Sequence, residues 1–127
     1  MVNELFIAKD VKEAVSYMKK GSVLLAGGTE INRLDSSVNA KSLVSIGRIE
    51  KLSKIVKTSV SSFGKCISVG AMCTFQDVIE SDIVPEYLKE SCKFMSSRVR
   101  RNMATVGGNI ALRRDDSYLI PSLLVAG

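Results

Sequence analysis

A chain of 127 residues has the size of one compact domain, and 46% hydrophobic against 24% charged residues excludes a disordered or low-complexity polymer. No apolar run approaches the roughly 18 residues of a membrane span. The N-terminal Met-Val-Asn-Glu-Leu-Phe-Ile lacks the basic and long apolar regions of a signal peptide, so a cytoplasmic location is expected. The net charge of +5 is uneven: residues 1–90 hold 12 Lys/Arg against 11 Asp/Glu, and residues 91–127 hold six against two. Arg98, Arg100, Arg101, Arg113 and Arg114 carry that excess, a pattern that attracts cofactor phosphates, an acidic partner or nucleic acid.

In chain order, Asp10-x-x-Glu13 reads as a capping box opening a helix from Asp10 to Lys20. Val11, Ala14, Val15 and Met18 form its apolar face, and Gly21 stands at its stop. A strand Val23–Ala26 runs into Gly27-Gly28-Thr29-Glu30-Ile31-Asn32. After an irregular connection come a strand Ser42–Ile46 and a hairpin, Lys54–Val60 returning as Cys66–Gly70 around Phe63-Gly64-Lys65. Thr74 with Asp77 opens a helix that buries Phe75, Val78 and Ile79. A second helix starts near Pro85 with the stripe Tyr87, Leu88, Cys92 and Met95. The basic stretch up to Thr105 reads as loop, Val106–Ala111 as a strand-like piece around paired glycines, and Ser117–Leu124 ends as an apolar helix. The fold class expected is α+β with small sheets.

Histidine is absent, which removes the commonest general base and metal ligand. Cys66, Cys73 and Cys92 are too dispersed for a Cys-x-x-Cys site and read as small hydrophobes. No metal site and no catalytic side chain is expected. What remains are two glycine pairs, Gly27-Gly28 and Gly107-Gly108, where backbone without a Cβ can approach a phosphate closely, with Thr29 and Asn109 as added donors. Singly, such a pair is more often a structural bend. Neither Gly-x-Gly-x-x-Gly nor Gly-x-x-x-x-Gly-Lys-Ser/Thr occurs, so a dinucleotide here would sit on two separate loops.

Leu24-Leu25-Ala26-Gly27-Gly28-Thr29-Glu30-Ile31 resembles the first flavin loop of the FAD-binding domains of the molybdopterin dehydrogenase family, the flavin subunits of xanthine and carbon monoxide dehydrogenases. Arg101-Asn102-Met103-Ala104-Thr105-Val106-Gly107-Gly108-Asn109-Ile110-Ala111 is similar to its second loop. Between them, Ser42–Ile46, the turn Arg48-Ile49-Glu50, and Ser68-Val69-Gly70-Ala71 with Thr74 come in the family's order.

The resemblance implies the FAD-binding fold of the vanillyl-alcohol oxidase / p-cresol methylhydroxylase type. Residues 1–53 would be a small N-terminal subdomain and 54–127 the beginning of a second, truncated one. FAD would be held by Leu25, Ala26, Gly27, Gly28, Thr29, Glu30 and Ile31 on one side and by Thr105, Gly108 and Asn109 on the other. The flavin would receive electrons from a molybdenum-cofactor subunit through two [2Fe-2S] clusters on a partner subunit or domain, and pass them to NAD or another acceptor. A substrate such as a purine would be oxidised at molybdenum. Neither nucleic acid nor membrane is expected as a partner.

Two departures stand out. Arg114-Asp115 falls where the family often has Ser-Pro, and Tyr118 where it has an aspartate; Asp116, Ser117 or a shifted backbone are the candidates to take over that cofactor contact. The family's remaining strands and C-terminal domain do not follow within this sequence, so weak FAD binding, inactivity of the piece alone, or a homodimer hiding an apolar face are further expectations. Alternative readings are a stand-alone flavin oxidoreductase of the same superfamily and a basic nucleic-acid-binding module. The latter lacks interleaved aromatics, since only Phe94 and Tyr118 lie near the arginines.

Overall fold

Three four-residue strands, β1 (Glu4–Ile7), β2 (Ser22–Leu25) and β3 (Ser42–Ser45), form a parallel sheet in a computed structural model that describes residues 2–62 and 64–126. The order is β1-β3-β2, with Phe6 opposite Val44 and Val44 opposite Leu24. The central position of β3 explains why Val44 is fully buried. Helix α1 (Val11–Tyr17) makes the crossover from β1 to β2. Its cap is the expected one, with Asp10 accepting from the Glu13 amide at 2.8 Å, but the Glu13 carboxylate turns to the Lys9 amide at 2.7 Å and the Tyr17 hydroxyl at 2.8 Å.

The helix is shorter than the expected Asp10–Lys20, and its buried side differs. Ala14 is buried, whereas Val11, Val15 and Met18 are exposed. Tyr17 stacks on Phe6 with ring centroids 4.9 Å apart, and this aromatic contact with the sheet sets the helix rotation instead of the valines. Ala8, Ala14, Val44, Ile46 and Ile49 form the first core cluster, with Phe6, Tyr17, Ala26, Leu52 and Met72 packed on it.

A 3-10 turn (Glu50–Ser53) leads to the antiparallel pair β4 (Ile55–Val60) and β5 (Gly64–Val69). This is the expected hairpin, although Phe63 of its turn lies outside the described residues. Helix α2 (Phe75–Glu80) has a complete capping box: the Asp77 amide donates to the Thr74 hydroxyl and the Thr74 amide to the Asp77 carboxylate. Helices α3 (Glu86–Lys93), α4 (Arg98–Arg101), α5 (Val106–Leu112) and α6 (Leu119–Ala126) complete the chain. They enclose a second core of Cys73, Phe75, Val78, Val84, Cys92, Val106 and Leu119. Tyr87 is half-exposed and lies off the expected stripe. Burying a side chain as completely as Phe75 contributes about 1.5–3 kcal/mol.

The basic stretch is not all loop, because the Ser97 hydroxyl caps the short helix α4. Val106–Ala111 is not strand-like but helical. Only Thr105 is extended, in an isolated bridge to Thr74, and its hydroxyl then caps α5 by accepting from the Gly108 amide at 3.1 Å. Cys73 and Cys92 are fully buried, and burial pushes the Cys92 thiol up to about 11, which keeps it protonated and inert. That agrees with their reading as small hydrophobes.

Candidate functional site

The two glycine pairs meet. Loop 26–33, leaving the C-terminal end of β2, and the start of α5 face one another across a cleft of about 540 Å3, within the roughly 300–1,000 Å3 usual for small-molecule sites. Ala26, Gly27, Gly28, Thr29, Glu30, Ile31, Thr105, Gly108, Asn109 and Asp116 all line it. Leu25 does not; it is the last residue of β2, and its carbonyl accepts from the Ile46 amide at 3.1 Å.

The first loop is built so that its backbone stays available. Gly28 has φ +70°, a conformation that L side chains rarely adopt. A Cβ on Gly27 would lie 1.7 Å from the Met103 carbonyl oxygen, so the loop packs directly on the segment that leads into α5. Among the described residues, the amides of Gly27, Gly28, Thr29, Glu30 and Ile31 donate to no other group of the protein, whereas those of Asn32 and Arg33 turn back to the Gly28 and Glu30 carbonyls. Consecutive unpaired N–H groups on a glycine bend suit an anion such as a pyrophosphate.

The second loop is arranged differently. The Val106 amide donates to Cys73 O at 2.9 Å, Gly107 to Ala71 O at 2.8 Å, Gly108 to Thr105 Oγ1 and Asn109 to Thr105 O at 3.0 Å. What this side offers the cleft is the Asn109 side chain. Its Oδ1 accepts from the Ser117 hydroxyl at 2.7 Å, which fixes the carboxamide and leaves its N–H2 as a donor.

The arginines separate into different roles. Arg101 Nη1 donates to the Ser96 carbonyl at 2.6 Å and the Lys93 carbonyl at 3.3 Å, joining the end of α3 to α4. Arg98 lies 3.9 Å from Glu80. Arg100 lines the cleft and makes no ion pair among the described residues. Arg33 and Arg114, neither expected at the first loop's rim, form bidentate pairs with Asp35 and Asp116. Those hydrogen bonds hold both aspartates below their ordinary range and raise both arginines. Asp116 thus reaches the cleft with its carboxylate already engaged. A local signal for both was present, an Arg-x-Asp triplet after each glycine pair.

Apolar wall is supplied by Val23, Leu24, Val38, Met95 and Leu112, and by Phe94 and Tyr118, whose rings lie 5.8 Å apart. Tyr118 is mostly exposed and not a core residue. Free amides, a close glycine bend, a carboxamide donor and an apolar wall with two aromatics fit an FAD, which carries a pyrophosphate and two flat ring systems. Among the described residues, no group of His, Cys, Asp and Glu could hold a metal ion, and no helix is long and apolar enough to cross a membrane.

Comparison with known proteins agrees with this geometry. A family model described as FAD binding domain in molybdopterin dehydrogenase matches residues 2–127. The protein YgfM of Escherichia coli (strain K12) is 28% identical over 98% of this chain and 47% of its own length. The chain therefore spans about half the length of the curated relatives it matches. A carbon monoxide dehydrogenase structure from Hydrogenophaga pseudoflava, lacking the Mo-pyranopterin moiety of its cofactor, superposes with a TM-score of 0.77 at 30% identity, covering 87% of this chain and 40% of that one. Quinoline 2-oxidoreductase from Pseudomonas putida 86 superposes with a TM-score of 0.74 at 21% identity, over 87% of this chain and 39% of that one, a likeness of fold.

Proposed function

Since the chain belongs to the family of FAD-binding domains in molybdopterin dehydrogenases, we propose that the cleft between loop 26–33 and α5 is its FAD site, and that the protein is the flavin component of a molybdenum hydroxylase. The observation that carries this is the row of amides from Gly27 to Ile31 without partners among the described residues. They would hold the pyrophosphate, with the Thr29 hydroxyl beside them. From the opposite side Asn109 would donate through its carboxamide, while Thr105 and Gly108 hold that side in shape through the α5 cap. FAD when bound supplies the electron-accepting and electron-donating chemistry. The chain's own task is to bind the cofactor, orient it and exclude water with the apolar wall.

The division at residue 53 belongs to the same reading. Residues 1–53 would form one subdomain around the parallel sheet and 54–127 would belong to a second one around the α2–α6 core, with FAD between them. Electrons would reach the flavin from a molybdenum-cofactor subunit by way of two [2Fe-2S] clusters and leave to NAD or another acceptor, in the cytoplasm. The substrate oxidised at molybdenum would be one such as a purine.

An FAD titration followed by flavin fluorescence and melting temperature tests the site. Micromolar affinity with a raised melting temperature is expected, and Asn109→Ala should weaken it about tenfold. No binding, repeated when the chain carries its natural flanking sequence, would refute the assignment. Purification from the native host with metal analysis tests the partners, since a protein that never co-purifies with molybdenum and iron would contradict the electron route.

A further inference from the structure

We propose that Glu30 is a positioning residue which, through Arg114, ties the first cofactor loop to the segment that follows α5; this rests on reading the cleft as the flavin site. Arg33 closes the first loop and Asp35 follows it, and Arg114 and Asp116 follow α5; Arg33, Arg114 and Asp116 line the cleft. Each arginine makes a flat two-bond fork with its aspartate, at 3.0 and 2.8 Å for Arg33 and 2.8 and 2.9 Å for Arg114. A guanidinium held in this way has little freedom to rotate. Its remaining nitrogen, Nη1, is therefore presented in a set direction, and in both arginines it is directed at the same atom. Glu30 Oε2 lies 3.4 Å from Arg33 Nη1 and 3.6 Å from Arg114 Nη1.

Among the described residues, Glu30–Arg114 is the only ion pair that joins loop 26–33 to the 105–118 segment. The Glu30 side chain is 20% exposed, so solvent screens the pair less than it screens a fully exposed one. The cofactor would be gripped by the backbone of residue 30 and not by its carboxylate, which leaves the carboxylate for this task. Glu30 thus holds the free amides at a set separation from Asn109 before the cofactor arrives, and preorganisation of that kind raises affinity without adding a contact to the ligand.

The experiment compares wild type, Glu30→Gln, Arg114→Gln and the double variant by FAD titration at low and high salt. Each single substitution is expected to raise the Kd about three- to fivefold at low salt. The double variant should be no weaker than the weaker single one, because the two act as a unit. The difference from wild type should vanish at high salt. An Arg114 that touched phosphate directly would give another pattern: Glu30→Gln would then tighten binding by removing a negative charge, and that result would overturn the tie. Additive effects in the double variant would overturn it too. Should wild type fail to bind FAD, the reading of the cleft falls by itself. The same four proteins then decide the tie by melting temperature, non-additive losses supporting it and additive ones refuting it.

Discussion

The Gly27-Gly28 and Gly107-Gly108 pairs look alike as sequence, each beside an apolar stretch and before a small polar residue, yet they do opposite things with their backbone. The first follows a strand end, and the amides from Gly27 to Ile31 have no partner among the described residues. The second is the first turn of a helix, and every amide from Val106 to Asn109 is satisfied by Cys73, Ala71 or Thr105. Both need glycine because other backbone comes close: a Cβ would meet Met103 O at Gly27 and Ala71 O, at 2.8 Å, at Gly107. The difference lies in what comes next. Gly28 turns to positive φ and keeps the chain out of a helix, whereas the Thr105 cap starts one. A glycine pair therefore marks close approach, and its neighbours decide whether the amides are left for a ligand.

Substitutions sharpen this contrast. Gly27→Ala should have the largest effect, since no small shift relieves a contact at 1.7 Å with main chain. It should cost about 3 kcal/mol of stability or more and abolish FAD binding, measured by denaturant unfolding and titration. Gly107→Ala should cost about 1–3 kcal/mol, because its nearest neighbours at Ala71 must move. FAD affinity of the folded protein should then change less than for any first-loop substitution; a greater loss of affinity than of stability would break the distinction. Gly28→Ala forces an alanine into a left-handed conformation at a cost of about 1–2 kcal/mol. The expected reading is a roughly tenfold weaker Kd with a modest fall in melting temperature.

The smallest effect is that of pH. Asp35 and Asp116 are held below the ordinary value of 3.8, chiefly by hydrogen bonds from Arg33 and Arg114. A depressed carboxylate contributes stability that is present above its unfolded pKa and lost as pH falls through its folded pKa. For these groups, melting temperature should be level from about pH 6 to 8 and decline only below about pH 4. Asp116→Asn should flatten part of that decline.

What could be read from the chain was whatever local chemistry decides. The Thr74–Asp77 capping box and the β4–β5 hairpin are determined within a few residues and stand where expected, and the two glycine motifs line one cleft. Strand β1 went unread because Glu4–Ile7 becomes a strand only by pairing with Ser42–Ser45, which is distant in sequence. The α1 face differs from the expected one because the spacing of Val11 and Val15 suggests burial while the Phe6–Tyr17 stack turns them outward. Helix α5 stands where a strand is expected, because paired glycines lower helix propensity while tertiary bonds to Ala71 and Cys73 outweigh that preference. At the site, the two glycine motifs that face each other were readable, but the apolar wall and the Arg33–Glu30–Arg114 arrangement were not, since the latter needs two distant Arg-x-Asp triplets brought onto one carboxylate.

Amide hydrogen exchange, followed by NMR with and without FAD, tests the central claim most directly. The account predicts that the amides of Gly27 to Ile31 exchange rapidly in the free protein and become protected on FAD binding, while those of Val106 to Asn109 are protected in both states. Protection gained at Val106 to Asn109, with Gly27 to Ile31 unchanged, would contradict it.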